Sequence, residues 1–473
     1  MRRNKIVLGG IATAVMIGGL VVGTTARADA GTCGGTGEVT TATGAFADGA
    51  KWKIECPAGA WNGTLFLYSH GYVTPGSQNP AQDVGDPITR AWMLGHGFAL
   101  AGSSYATTGW ALEQAFPDQI STLDTFAADF GAPAQTIAWG HSLGGIITAG
   151  LIQKFPDRFT AALPMCGVLA GGVATWNSAL DAEFAFQQLI DPQVQIVGIK
   201  NPFGNLSQAE QAGAAAQQTP QGRARLALVS ALGDTPGWFT PLSPEPPAND
   251  FASQEANQFQ WGSNVTFPFV FALRAELEAR AGGNPSWNTG VNYVVQLARS
   301  ADANEVRALY QAAGLSLSGD LARLDAAPRV AADPGAVQYL SDNIAFNGQL
   351  SMPVLTMHTT GDGLVVPENE QAYRQVVTEA GRGALLRQVF VHRAGHCAFT
   401  PAETITAVQT LLSRVQTGQW AVPDTAGLNA QAAMLGPQYN VFGGNGGLVA
   451  TPPAFTDFRS PLYPRPFDLG NGF

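Results

Sequence analysis

The stretch Gln135-Thr-Ile-Ala-Trp-Gly-His-Ser-Leu-Gly-Gly145, continued by Ile146-Ile-Thr-Ala-Gly-Leu-Ile152, decides how the chain is read. An apolar, β-branched run leads into Gly140-His141-Ser142-Leu143-Gly144, and an apolar segment without proline follows. The order is strand, sharp turn, helix, with Ser142 at the apex. So tight a turn needs neighbours two residues either side of the serine that carry no side chain, because strand and helix then pack in contact. In a chain with 56 glycines the bare G-x-S-x-G spacing arises by chance. The flanking strand and helix patterns give it weight.

Outward from that turn, other segments share the same rhythm. Thr64–Tyr68 reads as a buried strand running into Ser69-His70-Gly71-Tyr72, and Gly97–Ser103 as another, ending near Tyr105. Leu112–Phe130 has helical spacing, with Pro117 expected to interrupt it, and Ala161–Cys166 reads as a further strand. The rhythm returns at Met352–His358, followed by Thr359-Thr-Gly-Asp-Gly-Leu-Val-Val-Pro367. A helix (369–380), the strand Leu386–His392, the turn Arg393-Ala-Gly-His-Cys-Ala-Phe399 and a helix (401–416) come next. Short apolar strands alternating with helices predict an α/β fold, a mostly parallel central sheet flanked by helices, with its site at the carboxyl ends of the strands.

A serine hydroxyl becomes nucleophilic when a histidine takes its proton and a carboxylate holds that histidine in the useful tautomer. Asp362, in a glycine-rich turn after a strand, and His396, after the next strand, follow Ser142 in the expected order of serine, acid and histidine. As a plain turn-former beside Gly361 and Gly363, Asp362 would have no chemical role. Of the other histidines, His358 and His392 fall within strands, His141 belongs to the turn itself, His96 lies in a glycine-flanked turn, and His70 shapes a loop. A tetrahedral intermediate needs two backbone N–H donors. Leu143 supplies one in this reading and Tyr72 the other, with Gly71 as the alternative.

Between 168 and 350 the strand–helix rhythm stops. Segments 179–189, 223–232, 269–281 and 292–313 read as helices, so this region is expected to be a mainly helical cap inserted between two core strands. Its aromatics (Trp176, Trp238, Phe239, Trp261, Phe267, Phe269, Phe271 and Trp287) pack the cap, and a few of them are candidates to line an apolar pocket over the serine.

The N-terminus carries Arg2, Arg3 and Lys5, an apolar run from Ile6 to Gly23, and small-residue cleavage positions around Ala28 and Ala30. It reads as a signal peptide over 1–30, with an uncleaved membrane anchor as the alternative, and predicts a secreted protein without stable membrane insertion. The core would then span 31–167 and 351–418, the cap 168–350, and an irregular extension 419–473. Removing the four basic and one acidic residues of 1–30 takes the formal net charge from −10 to −13. An acidic chain without a basic run argues against nucleic acid as a partner. Oligomeric state is not legible. The four cysteines permit three disulfide pairings, or four free thiols. Cys33 with Cys56 would staple the N-terminal β segment (38–43 and 51–56), leaving Cys166 with Cys397.

Ser-His-Gly-Tyr at 69–72, Gly-His-Ser-Leu-Gly-Gly at 140–145, Thr-Gly-Asp-Gly-Leu-Val-Val-Pro at 360–367 and Ala-Gly-His-Cys at 394–397 together resemble the α/β-hydrolase superfamily. The resemblance covers roughly 60–167 and 350–416. It implies a Ser142, Asp362, His396 triad and no metal or organic cofactor. Feruloyl-esterase and tannase-type secreted enzymes join the residue before the nucleophile to the residue after the histidine by a disulfide. Cys397 matches the second half of that pattern, but position 141 is His, so the similarity is partial. Cys166, at the neighbouring strand end, is expected to substitute for that position and tether the histidine loop.

The expected activity is that of a secreted serine hydrolase cleaving small-molecule or polymeric carboxylic esters through an acyl-enzyme. Amidase or proline-type exopeptidase action, lipase or polyester depolymerase action, and a non-catalytic binding role are the alternatives. An exopeptidase would need cap carboxylates for a substrate ammonium, and Glu276 and Glu278 are the candidates.

Overall fold

The computed structural model describes residues 32–420, 424–444 and 447–465; the signal-peptide assignment over 1–30 lies outside them. Eleven strands are present among these residues: β1 (Thr40–Ala45), β2 (Lys51–Cys56), β3 (Thr64–Ser69), β4 (Ala99–Ser103), β5 (Gln135–His141), β6 (Ala161–Met165), β7 (Val354–Gly361), β8 (Leu386–Ala394), β9 (Val441–Gly444), β10 (Gly447–Ala450) and β11 (Phe455–Thr456). Nine form one sheet in the order β1-β2-β4-β3-β5-β6-β7-β8-β11, while β9 and β10 form a separate hairpin. From β4 across to β8 every pairing is parallel, and β1, β2 and β11 run antiparallel at the margins.

Alternation along each strand feeds two apolar layers. Leu65 and Leu67 of β3 and Ala138 of β5 pack under the helices Leu112–Phe130 and Leu143–Lys154. Phe66, Tyr68, Ile137 and Trp139 pack on the opposite face, against the helices Pro87–Gly95 and Pro401–Thr417. Both faces are covered, so β3, β4 and β6 are buried along their whole length. That double burial is why these strands read as continuous apolar runs.

Helices fill the stretch between β6 and β7, beginning at Gly172–Leu189, and enclose their own core of Phe184, Phe186, Leu228, Phe271, Tyr293 and Tyr310 among others. The helix expected over 292–313 is two, Tyr293–Arg299 and Ala303–Ala313, parted where Ser300 turns extended. Pro117 does not interrupt its helix: Leu112–Phe130 runs through it. The segment 419–473, expected to be irregular, instead supplies the helix Thr425–Met434, the β9–β10 hairpin and the sheet's outermost strand, β11. Each piece is too short, and the helix too evenly apolar, to leave a period in the sequence. No helix among the described residues is long and apolar enough to cross a membrane.

Candidate functional site

Among the described residues, five non-glycine residues adopt a positive φ, and four of them lie just past strand ends: Tyr105 (60°), Ser142 (58°), Cys166 (42°) and Cys397 (53°). Such a conformation costs about 1–3 kcal/mol per residue and persists only where the surroundings impose it. At Ser142 those surroundings are visible. A Cβ on Gly144 or on Gly140 would collide with the carbonyl oxygen of Ser69 at the end of β3. Ser142 N–H donates to Met165 O of β6 (3.0 Å), and Gly145 N–H donates back to Ser142 O (2.8 Å). The turn is held from both neighbouring strands.

Ser142 follows β5, Asp362 follows β7 and His396 follows β8, so parallel pairing brings residues 254 positions apart into contact. Ser142 Oγ lies 2.7 Å from His396 Nε2, and His396 Nδ1 lies 2.7 Å from Asp362 Oδ2. Asp362 is fully buried. Its other oxygen accepts from Leu364 N–H and Val365 N–H, 3.0 Å each. Burial alone would raise this carboxyl, but the charge and hydrogen bond of His396 and the nearby His358 hold it down at about 2. This arrangement can pass a proton from a serine hydroxyl to an imidazole whose orientation is fixed from behind.

His358, which the sequence places only within a strand, is a further participant. It is fully buried, with Nε2 2.8 Å from Val365 O and 3.6 Å from Asp362 Oδ2. Its Nδ1 lies 3.3 Å from Glu370 Oε1. Desolvation opposes its charge, yet the nearby Asp362 carboxylate and the contact with Glu370 push it up to about 10. Spacing on β7 put it four residues before Asp362; nothing in the sequence paired it with Glu370.

The other histidines separate cleanly. His70 is buried, its Nδ1 2.7 Å from Gly71 O and its Nε2 3.1 Å from Ser104 O, stacked on Tyr105. It shapes the loop after β3. His141 Nδ1 meets Tyr68 Oη at 3.2 Å, and burial, followed by the His396 charge, pushes it down to about 4. His392 is half-exposed and pairs with Glu245 at 3.1 Å.

Both disulfides are present: Cys33–Cys56, and Cys166–Cys397 between the end of β6 and the residue after His396. Hydrogen bonds add to the second tether. Gly395 N–H donates to Gly361 O (3.0 Å) and Thr359 Oγ1 to Gly395 O (2.8 Å). Pro401–Thr417 then starts with a capping box between Thr400 and Glu403.

Ser142, Leu143 and Tyr72 border one cavity of about 170 Å³. Leu143 opens the helix Leu143–Lys154, so its N–H is among the first four without an intrahelical acceptor. A Cβ at Gly71 would stand 3.4 Å from Ser142 Cβ, which brings the backbone before Tyr72 against the serine. Of the eight aromatics singled out above, Trp176, Phe267, Phe269 and Phe271 line this cavity. Glu276 and Glu278 do not: they bind Arg280 and Arg274.

No protein-family model matches the sequence. An o-phthalyl amidase of Xanthobacter agilis is 28% identical over 422 residues, covering 82% of this chain and 90% of its own. Among solved structures, feruloyl esterase B from Aspergillus oryzae aligns at TM-score 0.38 and 13% identity, over 82% of this chain and 81% of that one. An esterase from the same organism aligns at 0.41 and 13%, over 80% of each. The rice cell wall degrading esterase LipA from Xanthomonas oryzae aligns at 0.33 and 13%, over 80% and 88%. The parallel sheet with its strand–turn–helix at Ser142 has the arrangement of the α/β-hydrolase fold, and the similarity to an amidase spans most of both chains.

Proposed function

We propose that the chain hydrolyses a carboxylic ester or amide through an acyl-enzyme on Ser142. The observation that carries this reading is the continuous row Ser142 Oγ, His396 Nε2, His396 Nδ1, Asp362 Oδ2, with 2.7 Å at each junction. His396 takes the hydroxyl proton as Ser142 Oγ attacks the substrate carbonyl, and Asp362 stabilises the imidazolium that forms. Leu143 N–H and Tyr72 N–H receive the oxyanion. His396 returns the proton to the departing alkoxide or amine, and a water activated by the same imidazole releases the acid.

The acyl group occupies the aromatic cavity under the helical cap. Its volume, about 170 Å³, slightly exceeds the roughly 150 Å³ void that takes up one benzene ring, which suits an aryl or short branched acyl group. Esters are the more reactive substrates for this machinery. Amide cleavage is the second reading, favoured by the similarity to an o-phthalyl amidase. The two disulfides and the acidic composition suit an exported protein. A panel of 4-nitrophenyl esters set against N-benzoyl and N-phthalyl amides tests the reading. Ser142→Ala abolishes turnover of whichever is cleaved, and full activity in that variant would refute the mechanism.

A further inference from the structure

One polar group in the acyl cavity takes no part in the proposed chemistry. Along the helix Gly172–Leu189, Trp176, Ala179, Glu183 and Phe186 recur at helical spacing and present one stripe to the cavity. Three are apolar. The fourth is a carboxyl 1% exposed, and neither of its oxygens has a hydrogen-bond partner. Arg274 is the cation beside it, but Nη1 stands 3.7 Å from Glu183 Oε1, beyond hydrogen-bond reach. Arg274 bonds elsewhere through Nε to Glu278 Oε1 (2.9 Å) and Nη2 to Asn284 Oδ1 (2.8 Å), while its Nη1, which forms the 3.7 Å ion pair with Glu183, has no hydrogen-bond partner either. Burial pushes the Glu183 carboxyl up to about 8 against the pull of Arg274.

A buried carboxyl without a hydrogen bond costs stability in either protonation state, and one that lines a cavity is open to a ligand that completes it. In both states Glu183 has an acceptor oxygen to offer. Tyr72, Trp110 and Trp176 line the same cavity, their Oη, Nε1 and Nε1 atoms are buried without hydrogen-bond partners, and the two indoles can only donate. The group that fits among them therefore both donates and accepts. A bare ammonium, which cannot accept, fails that requirement, and a methyl group meets none of it.

We propose that Glu183 determines acyl specificity by accepting a hydrogen bond from an uncharged donor–acceptor substituent, a hydroxyl or a carboxamide, on a ring-sized acyl group bound in the cavity that Ser142 borders. The proposal rests on the reading of Ser142 as nucleophile. A substrate ring without such a substituent leaves the carboxyl and the indole N–H groups unpaired, which is how a polar site rejects an apolar analogue.

The test uses 4-nitrophenyl benzoates carrying hydroxyl, carbamoyl or methyl at C3 or C4. The natural chain favours the best hydroxyl or carbamoyl ester over its methyl counterpart by about tenfold or more in kcat/KM. Glu183→Leu reverses that order. Glu183→Gln, which keeps a carbonyl acceptor, retains it, and this variant keeps the test open should the leucine variant fail to fold. Indifference of the natural chain to the substituent, or an unchanged preference in Glu183→Leu, overturns the proposal. Calorimetric binding of hydroxybenzamide and methylbenzamide to Ser142→Ala separates the two readings. Preference for the hydroxyl compound that disappears on adding Glu183→Leu supports the role of Glu183 even if no ester is turned over. Equal binding of both compounds refutes it.

Discussion

Cys397 directly follows His396 in the chain and is disulfide-bonded to Cys166, 231 residues earlier, at the end of the strand beside the one that presents Ser142. One covalent bond thus ties the loop carrying the proposed base to the strand end nearest the proposed nucleophile. Closing so long a loop restricts the unfolded chain strongly, and native disulfides of this kind contribute about 2–5 kcal/mol. Cys166→Ala with Cys397→Ala is expected to lose stability in that range and to lower kcat more than it changes KM. Urea denaturation and steady-state kinetics check this; an unchanged midpoint with unchanged kcat would remove the tether from the account.

This pairing shows how far the sequence could be read. Cysteine parity made the bond an expectation, since Cys33 with Cys56 leaves Cys166 with Cys397, and the partial resemblance to feruloyl-esterase and tannase-type enzymes pointed to the same tether. Ser142, Asp362 and His396 were legible because each follows an apolar run long enough to be a buried strand, and a parallel sheet gathers such strand ends at one edge. His358 was not, since a histidine inside an apolar strand carries the same signature whether it merely packs or backs a carboxylate. Its partner Glu370 lies on a helix, 12 residues on, and no local pattern joins the two. Nor was Glu183 legible, because one carboxylate in an amphipathic helix ordinarily faces water.

His358 and Asp362 make a prediction about pH. The histidine is raised from 6.5 to about 10, so its stabilising contribution is complete below pH 6.5 and is lost as pH rises through 10. Asp362 is lowered from 3.8 to about 2, so its contribution is complete above pH 3.8 and is lost as pH falls through 2. The two together give a stability plateau between about pH 4 and 6.5. His358→Gln keeps the volume and some hydrogen bonding but removes the charge. The expected result is a flatter alkaline limb in thermal melts across pH, with kcat reduced by about tenfold because Asp362 loses a group that fixes it. An alkaline limb identical to that of the natural chain would show that His358 is uncharged.

Gly144 is predicted to be the least replaceable glycine of the turn. Its missing Cβ leaves the space that the Ser69 carbonyl oxygen occupies, and a backbone atom cannot swing aside as a flexible side chain can. Gly144→Ala must push β3 and the helix Leu143–Lys154 apart, at a cost of about 3 kcal/mol or more. Gly383, which meets only Thr378 Oγ1 at 4.0 Å, serves as the control, and Gly383→Ala should melt within a degree or two of the natural chain. Differential scanning calorimetry of both variants decides it.

The carboxyl-terminal segment, illegible as structure in the sequence, is predicted to be indispensable to the sheet. Arg393 on β8 is 4% exposed and pairs with Glu403 at 2.5 and 2.9 Å, and it also donates to Pro452 O at 3.1 Å. Glu403 in turn accepts from Ala454 N–H at 2.9 Å. β11 covers the edge of β8 opposite Phe390 and Val391, and Phe458 packs edge-on against Phe390. A chain ending at Gly418 would expose that apolar edge and leave a buried ion pair short of two partners. Uncovered strand edges recruit other chains. The truncated protein should therefore elute as higher-order species in size-exclusion chromatography and precipitate on concentration. Phe390→Lys in the same truncation, by placing a charge on the exposed edge, should restore part of the solubility; a monomeric, soluble truncation without that change would show that β8 needs no cover.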